Sequence, residues 1–300
     1  MRRAGDQMYP WRAIWPAADR RALLVTEETH LSSEEQAPRP KIDTTVPQTA
    51  RVWNYWLGGK DNYAVDRALG DEIAKAYPII VDIARADRAV LNRAVRYLAG
   101  EAGVRQFLDV GTGLPTTNNT HEVAQAVAPE ARIVYVDYDP LVLVHARALL
   151  TSGPEGATDY IDADLRDTET ILQEAGRTLD LTQPVALMLS GILAHLSTAE
   201  EARSVVRRLM DALPPGSYLV VVDGANTNQE LNDVMRIWNE SANPPYAMRS
   251  PEEIASYFDG LELVGPGLVD VTRWRPDPSP SGPPRPLNNL VGVARKPAKP

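Results

Sequence analysis

The spacing of apolar and polar positions changes once along the chain, near residue 103. Between Val46 and Tyr97, apolar residues recur at helical spacing, and this pattern predicts helices. Examples are Ala64, Val65, Ala68, Leu69 and Ile73, then Val90, Leu91, Ala94, Val95 and Leu98. Gly103 follows as a stop signal. Beyond it, short apolar runs alternate with amphipathic segments, so a helical region precedes a body of a different kind.

Seven apolar runs in the body predict β-strands. Four of the first five lack strict alternation, which is typical of strands covered on both faces. Strands that alternate with helices form a mostly parallel sheet with helices on each side. The sequence therefore predicts a doubly wound, mostly parallel α/β sheet behind an N-terminal helical cap. The runs are Gln106–Val110, Arg132–Val136, Asp159–Ile161, Val185–Leu189, Ser217–Val222, Glu262–Val264 and Leu290–Ala294.

These patterns divide the chain into three parts. Residues 1–40 mix charges of both signs with prolines and predict a flexible leader, although Trp11 and Trp15 leave open that it docks on the body. Residues 41–103 form the helical cap and residues 104–300 the α/β domain, with cap and domain as one compact unit. The loop Pro276–Pro286 is interpreted as a stiff connector, with a polyproline ligand for a partner as the alternative.

Composition narrows the function classes. The 31 basic and 40 acidic residues give a formal charge of −9, which argues against a nucleic-acid partner because such binding depends on neutralising phosphates. The absence of cysteine excludes disulfides, thiolate catalysis and cysteine-held metals. Four scattered histidines suggest no metal site.

No segment predicts a membrane protein. The longest apolar stretch, Val185–Ala194, is half of the roughly 20 residues that a bilayer requires. Only Ala22–Val25 follows the second arginine pair, which is too short for the apolar region of a secretory signal. We therefore expect a cytoplasmic protein.

The loop after the first strand carries the clearest chemical signal. The strand ends in Asp109, and Gly111, Thr112 and Gly113 follow in an Asp-x-Gly-x-Gly pattern. Glycines at this place let the backbone turn sharply and let a ligand approach main-chain atoms. In open α/β sheets, ligands bind beyond the carboxyl ends of the strands. The pattern predicts a nucleoside cofactor.

Acidic strand ends distinguish between two cofactors. Asp137 ends the second strand, 24 residues after Gly113, where a carboxylate can accept hydrogen bonds from ribose hydroxyls. The dinucleotide fingerprint needs a glycine at position 116, which is Thr116. Asp109 would face a pyrophosphate, and like charges at about 4 Å cost on the order of 4 kcal/mol at an effective dielectric of about 20. The same carboxylate attracts the ammonium of S-adenosylmethionine, so that cofactor is favoured over NAD.

The third strand supports this prediction. It is followed by Asp164, which can hydrogen-bond the adenine amino group, and by Leu165, which can pack on the adenine ring. Tyr138 and Ser190, at the ends of the second and fourth strands, complete the predicted cofactor site. Asp139 is interpreted as a cap of the helix that Pro140 begins, and not as a ligand.

From about Ile42 to Lys296 the chain resembles a bacterial family of S-adenosyl methyltransferases. The resemblance is carried by the segment Ala50–Tyr63, by the Asp109–Pro115 loop with Asn118–His121, and by Val134–Pro140. It implies the seven-stranded class I methyltransferase fold and no particular acceptor. The chain departs from the family near Gly191, where a larger residue is usual, and after His195, where an aromatic residue is usual. These departures imply a different acceptor pocket.

The helical cap supplies further candidates. Gly58-Gly59-Lys60-Asp61 lacks the pattern of a phosphate-binding loop and predicts a turn, with Asp61 or Asn62 capping the next helix. Because such caps cover the cofactor in related folds, Lys60 can reach its carboxylate, and Asp61 and Tyr63 can line the pocket; a surface turn is the alternative. Trp53 and Trp56 are interpreted as core residues, with substrate binding as the less favoured alternative.

His195 follows the fourth strand and is the one candidate for a general base, with a hydrogen-bonded structural histidine as the favoured alternative. His121 is interpreted as structural, and His145 lies on a helix without an evident partner. The sequence assigns no firm catalytic residue, because methyl transfer depends chiefly on in-line placement of the reactants.

These observations predict an S-adenosylmethionine-dependent methyltransferase acting on a small molecule. The first alternative is a non-catalytic regulator that binds S-adenosylmethionine, and the second is an NAD-dependent oxidoreductase. The sequence does not predict the acceptor atom or the oligomeric state.

Overall fold

The computed structural model describes residues 42–149, 151–278 and 285–298. The predicted leader of residues 1–40 lies outside these residues, as do positions 279–284 of the proline-rich loop. The roles suggested for both segments, and the boundaries between leader, cap and α/β domain, stay predictions.

Between residue 42 and the sheet the chain forms three helices, as the helical spacing predicts. They are α1 (Thr49–Trp56), α2 (Ala64–Ala76) and α3 (Ile80–Gly100). The prediction that Asp61 or Asn62 caps α2 is wrong, because Tyr63 occupies the cap position and its N–H donates to Asp66 at 2.8 Å. An acidic side chain in the first turn thus satisfies a backbone donor that has no partner inside the helix.

Within the described residues, eight strands form one mixed sheet in the order β3-β2-β1-β4-β5-β8-β6, with β7 paired to β8. The first five are mutually parallel, and β8 runs antiparallel to β5, β6 and β7. The doubly wound fold is confirmed, with one strand more than the seven expected. The strands are β1 (Gln106–Val110), β2 (Arg132–Asp137), β3 (Ala157–Asp162), β4 (Ala186–Ser190), β5 (Tyr218–Gly224), β6 (Glu262–Leu263), β7 (Val269–Asp270) and β8 (Asn289–Arg295).

Six helices connect these strands in the described part of the chain, and two of them begin at a capping hydroxyl. Thr198 accepts a hydrogen bond from the N–H of Glu201, and Ser250 does the same for Glu253. Such caps satisfy donors that the first helical turn leaves free. The helices are α4 (Thr120–Val127), α5 (Pro140–Leu149), α6 (Thr168–Ala175), α7 (Ala199–Asp211), α8 (Gln229–Ser241) and α9 (Pro251–Ala255).

The core has two layers, one on each face of the sheet. Alternate residues of β1 point to opposite layers, with Phe107 packed in the layer of α1 to α4 and α8, and Leu108 in the layer of α6, α7 and α9. Both side chains are fully buried. Burial on both faces explains why the strand sequences read as continuous apolar runs. Among the described residues, no helix has the length and apolar character needed to cross a membrane.

Candidate active site

A cleft of about 1080 Å³, partly open to solvent, lies at the carboxyl ends of β1, β2 and β4. Its floor is formed by the residues that follow these strands, and its cover by residues of α1 and α3. The predicted residues Asp109, Gly111, Thr112, Gly113, Asp137, Tyr138, Ser190 and His195 all line it. The structure therefore brings together side chains that the sequence spreads over nearly ninety positions.

The turn after β1 requires glycine at two positions. Gly111 has φ +76°, and a Cβ there would lie 2.5 Å from Ile192 Cγ1. Gly113 has φ +66°, and no other atom lies within 4 Å of where its Cβ would stand. Non-glycine residues rarely adopt such angles. The first glycine lets two loops pack closely, and the second leaves bare backbone beside open space.

Asp109 is held within the protein and is less available than the sequence suggests. Its Oδ2 accepts a hydrogen bond of 2.6 Å from the Thr120 hydroxyl. Burial raises the pKa of Asp109 above its usual range, while Thr120 and Arg88 lower it. Arg88 also lines the cleft, so the charges in its wall are mixed, whereas the sequence had pointed only to the acidic strand ends.

Asp137 lies at the junction of the main cleft and a smaller pocket of about 410 Å³. Its Oδ2 accepts the N–H of Gly113 at 2.9 Å and its Oδ1 the N–H of Asp139 at 3.0 Å. Burial raises the pKa of Asp137 to about 6. Asp139 accepts the N–H of Leu141 at 2.8 Å, which confirms it as a cap of α5.

The smaller pocket holds the remaining predicted cofactor residues. Asp164 and Leu165 line it, together with Tyr138, whose side chain is 45% exposed. Asp164 forms an ion pair with Arg166 at 3.3 Å and accepts the N–H of the same residue at 2.8 Å. Leu165 is buried and offers an apolar surface to the pocket. One pocket thus combines a carboxylate with an apolar face.

His195 combines features of both interpretations offered for it. It lies in a short 3₁₀ helix, Leu193–His195, and is half-buried against Tyr246, with the two rings edge to face. Its Nδ1 lies 2.9 Å from the carbonyl oxygen of Pro245 and must donate to it, so Nε2 carries the lone pair in the neutral ring. Burial lowers the pKa of His195, which keeps the imidazole neutral near pH 7. The residue also lines the cleft.

Lys60, Asp61 and Tyr63 are not among the residues that line the cleft. Lys60 is exposed, and Tyr63 packs beside the small apolar cluster of Leu114, Leu141 and Val142. Asp61 Oδ2 lies 3.9 Å from Nδ1 of His145, which gives that histidine a partner the sequence did not reveal. The part of the cap that covers the cleft lies earlier in the chain and includes Trp53 and Asn54 of α1.

Asn54 holds the loop after α1 against the end of that helix. Its Oδ1 accepts hydrogen bonds from the N–H of Asp61 at 3.1 Å and from Nδ2 of Asn62 at 3.0 Å. A Cβ on Gly59 would lie 2.3 Å from Nδ2 of Asn54, so the loop closes tightly over this buried amide.

Asp87 and Arg88 of α3 also line the cleft, and sequence reasoning missed both. Asp87 is 7% exposed, and its two oxygens accept hydrogen bonds of 2.8 and 2.7 Å from Nδ2 of Asn289. Burial, with the nearby carboxylates of Asp223 and Asp270, raises the pKa of Asp87 to about 8. The sequence did contain a signal for Asp87, because this acidic residue interrupts the otherwise apolar face of an amphipathic helix.

Arg88 reaches the glycine turn from the other side. Its Nη2 donates to Oδ1 of Asn119 at 3.0 Å. Its Nε is buried and has no hydrogen-bond partner in the part of the chain that the structure describes. A buried guanidinium donor without a partner costs free energy unless a ligand satisfies it. Within residues 42–149, 151–278 and 285–298, no group of three or more acidic or histidine side chains can hold a metal ion.

A mostly parallel sheet in this order, with a glycine turn after β1 and an acid at the end of β2, defines a nucleoside-binding α/β protein of the class I methyltransferase type. The chain belongs to a family of S-adenosyl methyltransferases, whose family model matches residues 35–297. The resemblance is thus confirmed, and S-adenosylmethionine is the methyl donor of this family. Membership sets aside the non-catalytic regulator and the NAD-dependent oxidoreductase.

Two solved structures are similar over most of the chain. One is a DUF574 family protein from Streptomyces avermitilis, with 45% identity, coverage of 86% of this chain and 100% of that chain, and a TM-score of 0.82. The other, from Thermobifida fusca, is described provisionally as a methyltransferase, with 45% identity, coverage of 87% and 99%, and a TM-score of 0.79. None of the curated proteins matches this chain.

Proposed function

We propose that this methyltransferase uses S-adenosylmethionine to methylate a small molecule in the cleft beneath α1 and α3. The observation that carries the proposal is the junction at Asp137, where a cleft and a smaller pocket meet at the end of β2. A nucleoside that spans this junction would place its base in the smaller pocket and its sulfonium in the main cleft. The covered cleft and the net charge of −9 favour a small acceptor over a nucleic acid.

In this arrangement each predicted cofactor residue has a chemical role. The carboxylate of Asp137 would accept hydrogen bonds from the ribose hydroxyls. Leu165 would pack on the adenine ring, and Asp164 would accept a hydrogen bond from the adenine amino group. Tyr138 would cover the nucleoside. The open backbone at Gly113 would face the methionine portion, with Thr112 and Ser190 beside it. His195, through Nε2, would be the base for an acceptor that must lose a proton. The cytoplasm stays the compartment that the sequence predicts.

Replacing Asp137 tests the cofactor site. We expect Asp137→Ala to weaken binding of S-adenosylhomocysteine at least about tenfold, because hydrogen bonds to a charged group contribute about 1.5–3 kcal/mol each. Isothermal titration would measure the affinity. Asp162→Ala is the matched control, since Asp162 ends the adjacent strand, is exposed and does not line the cleft.

The proposal fails if the wild-type protein shows no saturable binding of S-adenosylmethionine or S-adenosylhomocysteine at millimolar concentration. Unchanged affinity in Asp137→Ala would remove the ribose assignment only. Transfer of a labelled methyl group to a low-molecular-weight fraction of a metabolite extract would test the acceptor class, and label found only in macromolecules would contradict it.

Arg88 is the cation in the cleft that best fits the carboxylate of the cofactor's methionine part. Its unpartnered Nε and its position beside the glycine turn support this role. We expect Arg88→Met to weaken binding of S-adenosylhomocysteine by about 10- to 100-fold, as for loss of a charge-assisted hydrogen bond. Its affinity for 5′-methylthioadenosine, which has no carboxylate, should fall much less.

Arg85→Met is the control for that experiment, because Arg85 lies exposed on the same helix. Equal losses for the two ligands in Arg88→Met would show that Arg88 acts only by holding the loop through Asn119.

A further inference from the structure

The acceptor side of the cleft has an acidic residue without a basic partner. Asp87 lines the cleft, and both of its carboxyl oxygens accept hydrogen bonds from the neutral amide of Asn289. No ion pair to Asp87 occurs among residues 42–149, 151–278 and 285–298. A carboxyl group this deeply buried is normally paired with a cation. A positively charged ligand would supply the missing partner.

A second buried carboxyl group lies behind the first. Asp223 is fully buried, and its Oδ2 has no hydrogen-bond partner within the described part of the chain. Its Oδ1 accepts the Tyr246 hydroxyl at 3.3 Å. Arg249 lowers the pKa of Asp223, yet burial still raises it to about 7. The neighbouring Asp223 thus disfavours ionisation of Asp87, and a cation beside the two carboxyl groups would favour the ionised form.

A side chamber adjoins the cleft at this place. It has a volume of about 390 Å³, partly open to solvent, and Trp53 lines both spaces. Its walls are mainly aromatic side chains, methionines and branched aliphatic residues: Trp53, Trp56, Trp238, Tyr246, Met235 and Met248 among them. Asn289 and Tyr246, which donate to Asp87 and Asp223, also line it. The apolar chamber is thus separated from the two carboxyl groups only by Asn289 and Tyr246, which hydrogen-bond to them.

Gly224 keeps one wall of the chamber free of a side chain. A Cβ at this position would lie 3.2 Å from Cε of Met248 and 3.3 Å from Oδ1 of Asn289. Since the residue follows Asp223 directly, the opening lies close to the second carboxyl group.

We propose that the methyl acceptor is an amine with a compact apolar substituent, whose nitrogen binds at Asp87 and whose substituent enters the side chamber. This inference rests on the proposed function. An ammonium group forms a charge-assisted hydrogen bond with a carboxylate and a cation–π contact with the face of a tryptophan such as Trp53, whereas an alcohol donates one uncharged hydrogen bond and makes no cation–π contact. Aromatic and methionine side chains suit an apolar group beside it.

The same arrangement accounts for the proton. An ammonium acceptor, R–NH₃⁺, has no free lone pair and must first give one proton to the Asp87 carboxylate. The freed lone pair then forms the bond to the methyl carbon while the sulfur keeps the electron pair of the bond that breaks. The products are R–NH₂⁺–CH₃ and S-adenosylhomocysteine, and Asp87 returns its proton to solvent. Without a ligand, the pKa of about 8 keeps Asp87 largely protonated at neutral pH. An ammonium group beside it favours the ionised carboxylate, and because this carboxylate is buried it accepts a proton from the amine more readily than an ordinary one does.

Two isosteric probes test the inference. Benzylamine and benzyl alcohol differ at one group, and each is titrated calorimetrically against the protein with and without saturating S-adenosylhomocysteine. We expect the wild type to bind the amine at least about tenfold more tightly. Asp87→Asn should remove this preference, whereas Asp82→Asn, an exposed site on the same helix, should retain it. Gly224→Ala should weaken both probes by a similar factor.

Equal affinity of the wild type for the two probes, or no binding of either, would overturn the inference. So would a preference for the amine that survives in Asp87→Asn. If S-adenosylhomocysteine binds and the preference is absent, only this inference fails. If S-adenosylhomocysteine does not bind, the proposed function fails, and the titrations without it still decide the preference. Should Asp87→Asn not fold, the wild-type comparison decides alone.

Discussion

Replacing Arg51 with Met is expected to lower the free energy of unfolding by about 3–5 kcal/mol, the usual cost of removing one partner of a buried ion pair. Arg51 is 1% exposed and Asp66 is fully buried, with Nε of the arginine 3.0 Å from Oδ2 of the aspartate. The guanidinium also donates to the carbonyl oxygens of Asp43 and Val46. Loss of the cation would leave an uncompensated carboxylate inside the cap. Chemical denaturation followed by circular dichroism would measure the change.

The matched control is Arg203→Met, which breaks an ion pair with Glu200 on the surface of α7 and should cost less than about 1 kcal/mol. The double variant Arg51→Met/Asp66→Asn should recover part of the loss, because it removes the unpaired charge. A loss in Arg51→Met no larger than that of Arg203→Met would contradict the prediction.

The ion pair also connects stability with the cleft. Asp66 accepts the N–H of Gln48 at 3.0 Å, so the pair fixes the start of α1. The same helix carries Trp53 and Asn54 in the wall of the cleft. Changes at Arg51 should therefore weaken ligand binding without touching a ligand, and the affinity for S-adenosylhomocysteine would report this.

The sequence predicted those parts of the fold whose signals are local. The buried strands β1 to β5 read as apolar runs because both faces are covered. β7, Val269–Asp270, was missed because a two-residue strand at the sheet's side carries no periodicity. The cap of α2 was misplaced because Asp66 acts backward on the N–H of Tyr63, a contact that depends on the turn geometry.

The same distinction applies to the candidate site. Gly111, Gly113 and Asp137 were predicted because a turn and a strand end define their positions within a few residues. Asp87 and Arg88 were missed because only the packing of α3 across the sheet brings them to the cleft. Lys60 does not line the cleft, and its contact with the carboxylate of the cofactor stays a prediction. The hydrogen bond from Asp61 to Asn54, which shapes this loop, has no local sequence signal.

The contribution of Asp87 to the free energy of unfolding should fall as pH rises from about 4 to about 8, and Asp87→Asn should remove this contribution. The pKa of Asp87 is about 8 in the folded protein and 3.8 for a free side chain, so the folded state holds a proton that the unfolded chain releases. The stabilisation from that proton is fully present below about pH 4 and is lost as pH rises toward 8.

For each proton that only the folded state holds, the free energy of unfolding falls by up to about 1.4 kcal/mol for every unit by which the pH rises in this window. Asp223, with a pKa of about 7, and Asp137, with a pKa of about 6, act in the same direction over narrower ranges.

Urea denaturation between about pH 4.5 and about pH 8.5, at constant ionic strength, would compare the free energies of unfolding of Asp87→Asn and wild type. The two values should diverge with rising pH in favour of the variant, by on the order of a few kcal/mol. Asp82→Asn should follow the wild-type profile, because its side chain is exposed. Parallel profiles for Asp87→Asn and wild type would mean that Asp87 is ionised in the folded protein at neutral pH, and that the acidic wall of the cleft already carries its charge before any ligand arrives.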